Sequence, residues 1–148
     1  MGLDMYLTAK RYISEYADQD KTVSTEIMRH FPELTAEQTL QEISVRMGYW
    51  RKANAIHKWF VDQVQNGVDN CGTYLVSREQ LIELQHRCKV VLGWRGMAIE
   101  QLPPADGFFF GNAVVDEWYY LYLENTDKII EQCLSMPKVW EFEYSSSW

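Results

Sequence analysis

The chain has 148 residues, of which 47% are hydrophobic and 24% charged, values typical of one folded domain rather than a disordered chain. Fourteen basic and twenty-one acidic residues give a net charge of −7. This balance argues against a duplex nucleic-acid binder, which needs a basic face to displace counterions from the phosphates. A single pocket can still be locally positive, so a small anionic ligand remains compatible with the composition.

Cysteine usage and hydropathy exclude several further classes of protein. Cys71, Cys88 and Cys133 are widely spaced and form no C-x-x-C pattern, which predicts reduced thiols in a cytosolic protein. No run approaches the roughly 20 apolar residues of a membrane span, and Asp4 interrupts a start too short for a secretory signal. The chain contains no P-loop, Rossmann fingerprint or H-E-x-x-H motif, so we expect no membrane association, cofactor or metal.

Strand periodicity marks the start of the chain. Residues 2–8 alternate apolar and polar side chains, and residues 42–48 do the same. Asp4 then lies on a sheet face, where it either pairs with a cation or contacts a ligand. Residues 11–41 read as a variable insertion. Tyr12 to Tyr16 could continue the strand or form a hairpin, a short helix is predicted over 25–31, and a helical turn over 35–38.

The most distinctive stretch, residues 48–60, reads G-Y-W-R-K-A-N-A-I-H-K-W-F and predicts the central helix. At roughly 100° per residue, its two faces separate cleanly. The core face comprises Ala53, Ile56, Phe60 and Val64, the opposite face Arg51, Asn54, Lys58 and Asp62, and the flanks Lys52 and His57.

The first turn of this predicted helix carries Arg51 and Lys52 where acidic residues are preferred, and no N-cap side chain stands at 48–50. Two cations beside unpaired backbone N–H groups create a positive spot. Either these cations pair with acidic side chains elsewhere, or they hold a phosphate- or carboxylate-bearing ligand. The aromatic residues around them are either core packing or platforms on which a base stacks. The candidate ligand-binding residues are Asp4, Tyr49, Trp50, Arg51, Lys52, Asn54, His57, Lys58, Trp59, Asn112 and Asp116.

The second half of the chain alternates strands and capped helices. The central helix stops near Asn66-Gly67, residues 73–76 form a short strand, and Ser77 with Gln80 forms a capping box that opens a helix to Gly93. That helix buries Leu81, Leu84, Cys88 and Val91, and leaves His86 at the surface.

Residues 94–105 are predicted as a loop, and the apolar run 107–111 as a buried strand. Asp116 caps a long helix to about Leu134, and a last strand covers 139–144. The apolar stripe of the long helix comprises Trp118, Tyr122, Ile129 and Cys133, widened by Tyr119, Thr126 and Ile130, with Tyr120 facing outward. The sequence therefore predicts one α+β domain over residues 1–148. Its sheet is mixed or antiparallel, with about three sizeable helices on one face.

Several motifs resemble a family of small accessory proteins encoded by tailed bacteriophages. They are M-G-L-D-M-Y-L at 1–7, G-Y-W-R-K-A-N-A-I-H-K-W-F-V at 48–61, C-G-x-Y-x-V-S at 71–77, G-F-F-F-G at 107–111, D-E-W-Y at 116–119 and the terminal S-S-W. The resemblance covers both termini and most of residues 42–134, and it fails over about 11–41. It implies a phage accessory protein in the cytoplasm of the bacterial host, but no particular ligand or activity.

Three functions follow from these patterns. The first is a non-catalytic protein that captures a small anionic, nucleotide-derived ligand such as a host defence signal. The second is a protein–protein inhibitor of a host or anti-phage defence enzyme. The third is a small enzyme acting on a nucleotide, for which no spacing rule selects a catalytic set. The aromatic share and the closing W-E-F-E-Y strand, read as a free sheet edge, also predict a homo-oligomer, specifically a dimer.

Overall fold

The computed structural model describes residues 2–107 and 112–148. Within these residues, four strands and five α-helices follow one another, and the order of elements confirms a single α+β domain. The strands are β1 (Asp4–Tyr12), β2 (Glu42–Arg51), β3 (Thr73–Val76) and β4 (Glu141–Ser147). The helices are α1 (Asp18–Met28), α2 (Asn54–Gln63), α3 (Arg78–Gly93), α4 (Ala98–Gln101) and α5 (Glu117–Ser135).

The sheet is antiparallel throughout, with the strand order β2-β1-β4-β3. The first strand lies in its interior, which explains how a strand at the start of the chain is held in place. Leu7 pairs with Gly48 and Thr8 with Arg46, so Met47 is the extra residue of a β-bulge in β2.

The hydrophobic core lies between one face of this sheet and the helices. Leu3 and the alternate β1 residues Met5, Leu7 and Ala9 are fully buried, and they belong to one hydrophobic cluster with buried residues of α2, α3 and α5. The polar residues that alternate with them along the strand point to the opposite face of the sheet. The predicted core residues of α3 are confirmed, including the Cys88 thiol. Of those predicted for the central helix, Ala53, Ile56 and Phe60 are buried, whereas Val64 is only partly buried.

Both predicted helix caps are present. The Ser77 side chain accepts from the backbone N–H of Gln80 at 3.0 Å, and the Gln80 side chain accepts from the Ser77 N–H at 2.9 Å. Asp116 accepts from the N–H of Tyr119 at 3.0 Å and so caps α5. Each bond satisfies a backbone donor that the helix cannot satisfy internally.

Gly48 sets the distance between the sheet and α5. A Cβ at this position would lie 2.8 Å from Cγ2 of Ile129, closer than side chains approach one another. The absence of a side chain at Gly48 therefore lets β2 pack directly against α5.

The predicted start of the central helix is wrong. Residues 48–51 continue β2 as far as Arg51, and α2 begins only at Asn54. Pairing with β1 through Met5–Trp50 and Asp4–Arg51 overrides the helical periodicity. Asn54 and His57, predicted outside the core face, are both buried.

The apolar stripe of α5 is rotated from the predicted one. Its buried side chains centre on Tyr119, Leu123 and Thr126, whereas Trp118 is 66% exposed and Tyr120 is buried. Aromatic residues occur around most of this helix, so the hydrophobic pattern alone does not identify which face of α5 is buried.

Four further predictions are corrected. The helix of the 11–41 segment is α1, earlier than the predicted 25–31, and residues 35–38 form a turn stabilised by Gln38 instead of a helical turn. The 94–105 segment contains the short helix α4. Strand β4 lies inside the sheet and is not an edge, so the edges are β2 and β3. The strand predicted over 107–111 lies almost entirely outside the described residues.

Candidate functional site: the pocket between α2 and α5

A pocket of about 350 Å³ lies between the start of α2 and the start of α5, beside several of the predicted site residues. We call it the α2–α5 pocket. Four predicted ligand residues line it: Lys52, Asn54, Asn112 and Asp116. Its remaining walls are mainly apolar, and its volume lies in the range of small-molecule sites.

The β2–α2 connection shapes one wall. Lys52 adopts a left-handed backbone conformation with φ 60°, which is rare for a residue with a side chain. Its N–H donates to the carbonyl of Leu3 at 2.8 Å, and its carbonyl accepts from the N–H of Asn54 at 2.9 Å. These bonds hold the strained turn that places the first turn of α2 against the pocket. Strain of this kind recurs where a binding site requires it.

This wall is also the positive side of the pocket. The N-cap residue of α2 is Ala53, whose methyl group cannot cap the helix, and no acidic residue stands in the first turn. Lys52 is exposed and forms no ion pair with any described residue. An unneutralised lysine beside a helix N-terminus attracts an anion.

The start of α5 forms the opposite, aromatic wall with Trp118, Tyr119 and Tyr122. The Tyr119 hydroxyl donates to the carbonyl of Leu102 at 2.8 Å, which fixes its ring. Burial raises the pKa of Tyr119 and that of Tyr122, so both phenols stay neutral donors. The largely exposed Trp118 ring offers a surface on which a planar group can stack.

Asp116 places a carboxylate on the same wall. One of its oxygens caps α5, and a carboxylate can accept further hydrogen bonds. Nearby, the buried Asn54 amide donates to the carbonyl of Asn112 at 3.0 Å, which ties α2 to the segment before α5. The pocket therefore offers a cation at one side and an acceptor at the other.

Three other predicted residues lie together on the open face of the sheet. Asp4 and Arg51 are register partners, and the Tyr49 hydroxyl donates to the Asp4 carboxylate. Among the described residues, Asp4 therefore pairs with a phenol and not with a cation. Tyr49 packs against Tyr6, over which the Arg46 guanidinium lies. Arg51 does not line the α2–α5 pocket and forms no ion pair with a described residue.

Trp50 and His57 belong to the buried interior. The Trp50 indole donates to Thr126 at 2.9 Å. His57 contacts the Tyr144 hydroxyl through Nδ1 at 2.7 Å and the Asp69 carboxylate through Nε2 at 3.0 Å. Because a carboxylate only accepts, Nε2 carries a hydrogen and donates it to Asp69.

The hydrogen-bond network around His57 also includes Trp148, through Asp69. The Trp148 indole donates to the second oxygen of Asp69 at 3.1 Å. Burial, and then the Asp69 charge, raise the pKa of Tyr144 well above its usual value. The Tyr144 ring also stacks on Phe60 at a centroid distance of 3.8 Å. This arrangement stabilises the packing of β4 on α2, and both the His57 and Tyr144 side chains are closed to solvent.

Lys58 and Trp59, the last two predicted residues, line a separate cavity of about 190 Å³ between α2 and α4. Sequence reasoning missed Trp118 and Tyr122 as pocket residues, since both were assigned to the core stripe of α5. It also missed Asp69 and Tyr144. Their positions 12 and 87 residues after His57 give no local signal.

Comparison with known proteins adds no assignment: no protein-family model, curated protein or solved structure matches the chain. Fold and site together define a single α+β domain with a ligand-sized pocket beside a strand-to-helix junction. Within residues 2–107 and 112–148, no helix combines the length and apolarity needed to cross a bilayer. The same residues contain no cluster of three metal-ligating side chains.

Proposed function

We propose that this protein is a non-catalytic binding protein whose α2–α5 pocket captures a small anionic ligand bearing a planar ring. A nucleotide-derived signal of a host defence system has this chemistry. The resemblance to phage accessory proteins supports such a role in the cytoplasm of a bacterial host. The proposal rests on Lys52, which has no ion-pair partner among the described residues and lies beside the N-terminus of α2, opposite an aromatic wall.

The chemistry of the two walls suits a nucleotide. A phosphate would accept hydrogen bonds from the Lys52 ammonium and from the first N–H groups of α2. A base would stack on Trp118, which is open to solvent. Asp116 would accept from a sugar hydroxyl or an exocyclic amine, and its charge disfavours a second anionic group at that wall.

The first test is mass spectrometry of small molecules released when the purified protein is denatured. The same protein is then titrated calorimetrically with nucleoside monophosphates and with inorganic phosphate. We expect a nucleotide to bind more tightly than phosphate, because the aromatic wall contributes in addition to the anion contact. Recovery of intact ligand after incubation supports capture, and a converted product would instead identify an enzyme.

A matched pair of variants locates the site. Lys52→Ala removes the cation that lines the pocket, and Arg51→Ala removes the neighbouring cation that does not. A contact with a charged group contributes roughly 1.5–3 kcal/mol, so Lys52→Ala should weaken binding about ten- to a hundredfold. Arg51→Ala should leave affinity nearly unchanged. Equal losses in the two variants, or nucleotide binding that neither variant weakens, would place the ligand elsewhere.

Exposed apolar side chains favour a second candidate function, the inhibition of a host or defence enzyme by direct contact. Trp94, Ile99, Trp118 and Leu121 are each at least half exposed on the segment from Trp94 to α4 and on the first half of α5. These two regions adjoin, since Arg95 pairs with Glu117 at 2.8 Å. Clustered exposed apolar groups are typical of protein-binding surfaces. A single stoichiometric partner captured from host lysate by the native protein, and lost with Trp94→Ala, would favour this function.

A further inference from the structure

The face of the sheet that points away from the hydrophobic core carries two tyrosines and two arginines on neighbouring strands. Directly paired residues of an antiparallel ladder point to the same face, and Tyr6 of β1 pairs with Tyr49 of β2. In a regular strand, Arg46 and Tyr49 would point to opposite faces. The bulge at Met47 adds one residue between them, so Arg46 and Tyr49 share the open face with Arg51. We call this surface the Tyr49 face and define it by Tyr6, Arg46, Tyr49 and Arg51.

The Tyr49 ring is open to solvent and held in position. The residue is 45% exposed, and its hydroxyl donates to the Asp4 carboxylate. The Tyr6 ring packs against it at a centroid distance of 5.5 Å. The Arg46 guanidinium covers the Tyr6 ring, 4.7 Å from its centroid. A planar group from solution can therefore stack on Tyr49, whose ring is the accessible one of the pair.

Arg46 and Arg51 make the β2 side of this face positive. Both are exposed, and neither forms an ion pair with a residue that the structure describes. Of the carboxylates on the same face, Asp4 accepts from a phenol, and Glu143 pairs with Lys10 at 2.9 Å. The two arginines therefore keep their charge for an anion from solution, although the chain as a whole is acidic.

The order of these groups along β2 is a cation, a ring and a second cation. A single-stranded nucleic acid has the complementary order, because each unstacked base lies between two phosphates. Arginine binds phosphate through two parallel hydrogen bonds, and an aromatic ring stacks on any base. A duplex keeps its bases stacked inside and offers no ring to Tyr49. A nucleoside monophosphate supplies only one phosphate for two arginines.

We propose that the Tyr49 face binds single-stranded nucleic acid. One base stacks on Tyr49, and the phosphates on its two sides bind Arg46 and Arg51. These contacts reach only the backbone and the face of a base, so binding does not depend on sequence. None of the residues that define this face lines the α2–α5 pocket, and either proposal can fail without the other.

Fluorescence anisotropy of labelled oligouridylate and oligothymidylate, each about eight nucleotides long, tests the proposal at low salt. We expect both to bind, and a duplex of the same length to bind much more weakly. Excess uridine monophosphate should compete poorly, because it leaves one arginine without a phosphate. With two phosphate contacts, the logarithm of the association constant should fall against the logarithm of salt concentration with a slope of about −1.4.

Variants separate the ring from the charges. Tyr49→Ala should weaken binding about tenfold through loss of stacking, whereas Tyr49→Phe keeps the ring and should retain most of the affinity. Arg46→Ala and Arg51→Ala should each weaken binding and make the salt slope shallower by about 0.7. The matched controls are Tyr16→Ala and Arg29→Ala, which remove an exposed ring and an exposed cation elsewhere on the surface. Both controls should bind the oligonucleotides as the native chain does.

Three outcomes would overturn the proposal. If neither single strand binds at low salt, and Tyr49→Ala instead dissociates a dimer in light scattering, the face is a contact between two copies of the chain. If the duplex binds as tightly as the single strands, no base stacks on Tyr49. If Tyr16→Ala and Arg29→Ala weaken binding as much as the variants of the Tyr49 face, the oligonucleotides bind elsewhere.

Discussion

At the scale of single residues, Lys52 joins backbone strain to the candidate site. Its left-handed conformation is favourable for glycine, and a side chain there costs roughly 1–2 kcal/mol. We therefore expect Lys52→Gly to be more stable than Lys52→Ala by about 1 kcal/mol, although both remove the same cation. Urea unfolding of the two variants measures the difference. Equal stability would show that the turn relaxes without strain in solution.

The Tyr144 hydroxyl belongs to the buried network around His57, and its contribution to stability can be measured. Tyr144→Phe keeps the ring that stacks on Phe60 but removes the hydroxyl 2.7 Å from Nδ1 of His57. The buried His57 ring then loses this hydrogen bond, so we expect a loss of about 0.5–1.5 kcal/mol in the free energy of unfolding. The control is Tyr12→Phe, because Tyr12 is 69% exposed and should tolerate the change. Similar stability of both variants would mean that the hydroxyl contributes nothing.

At the scale of elements, the contact between β2 and α5 depends on Gly48. Gly48→Ala would bring a methyl group to within 2.8 Å of Ile129, and such overpacking typically costs about 1–3 kcal/mol. Gly93→Ala provides the control, since nothing lies within 4 Å of its added Cβ. There we expect no loss or a slight gain, because alanine favours the helix. Thermal unfolding of both variants compares them directly, and a loss at Gly93 as large as at Gly48 would contradict the packing argument.

At this scale, sequence reasoning succeeded where a feature depends on residues that are close together in the chain. The capping box at Ser77, the Asp116 cap and the alternation in β1 were predicted correctly, because each depends on neighbours within a few residues. The start of α2 was predicted wrongly, since pairing of residues 48–51 with β1 decides it, and β1 lies more than forty residues away.

At the scale of the whole molecule, buried titratable groups predict weakening in alkali. Burial raises the pKa of Cys133 to about 12 and that of Tyr144 well above its usual value. The unfolded chain loses these protons first, so stability should fall as pH rises above about 9, by up to about 1.4 kcal/mol per pH unit for each group. Urea unfolding between about pH 8 and about pH 10 measures this slope.

Two variants test the origin of the alkaline slope. Cys133→Ala should make it shallower, and Cys71→Ala, at an exposed position, should leave it unchanged. A slope unaffected by Cys133→Ala would assign the alkaline weakening to other groups.

The prediction of a homodimer now rests on a different edge of the sheet. With β4 in the interior, the long edge is β2, where Val45 and Tyr49 are each more than 40% exposed. We expect light scattering at micromolar concentration to detect a species of twice 17.5 kDa, and Val45→Lys to dissociate it by placing a charge on the edge. If light scattering detects only a monomer of the native chain, the prediction of a dimer is wrong.

The amino-acid sequence by itself determined the class of the fold and most of its elements. Periodicity, caps and turn residues act between neighbours in the chain, so they identified the α+β domain, the four strands and the core of α3. It also identified Lys52, Asn54, Asn112 and Asp116 as candidates for one site, all of which line the α2–α5 pocket.

Tertiary structure decided how the candidate residues are distributed. Residues of the 48–60 segment lie on different surfaces, because a strand ends and a helix begins within it. Arg51 lies on the open face of the sheet, Lys52 lines the α2–α5 pocket, and Trp59 lines the cavity between α2 and α4. The partners of His57 come from a loop and from β4, which local sequence patterns do not connect. Contacts between distant parts of the chain form only when the sheet and helices pack together, and that packing determines which side chains meet.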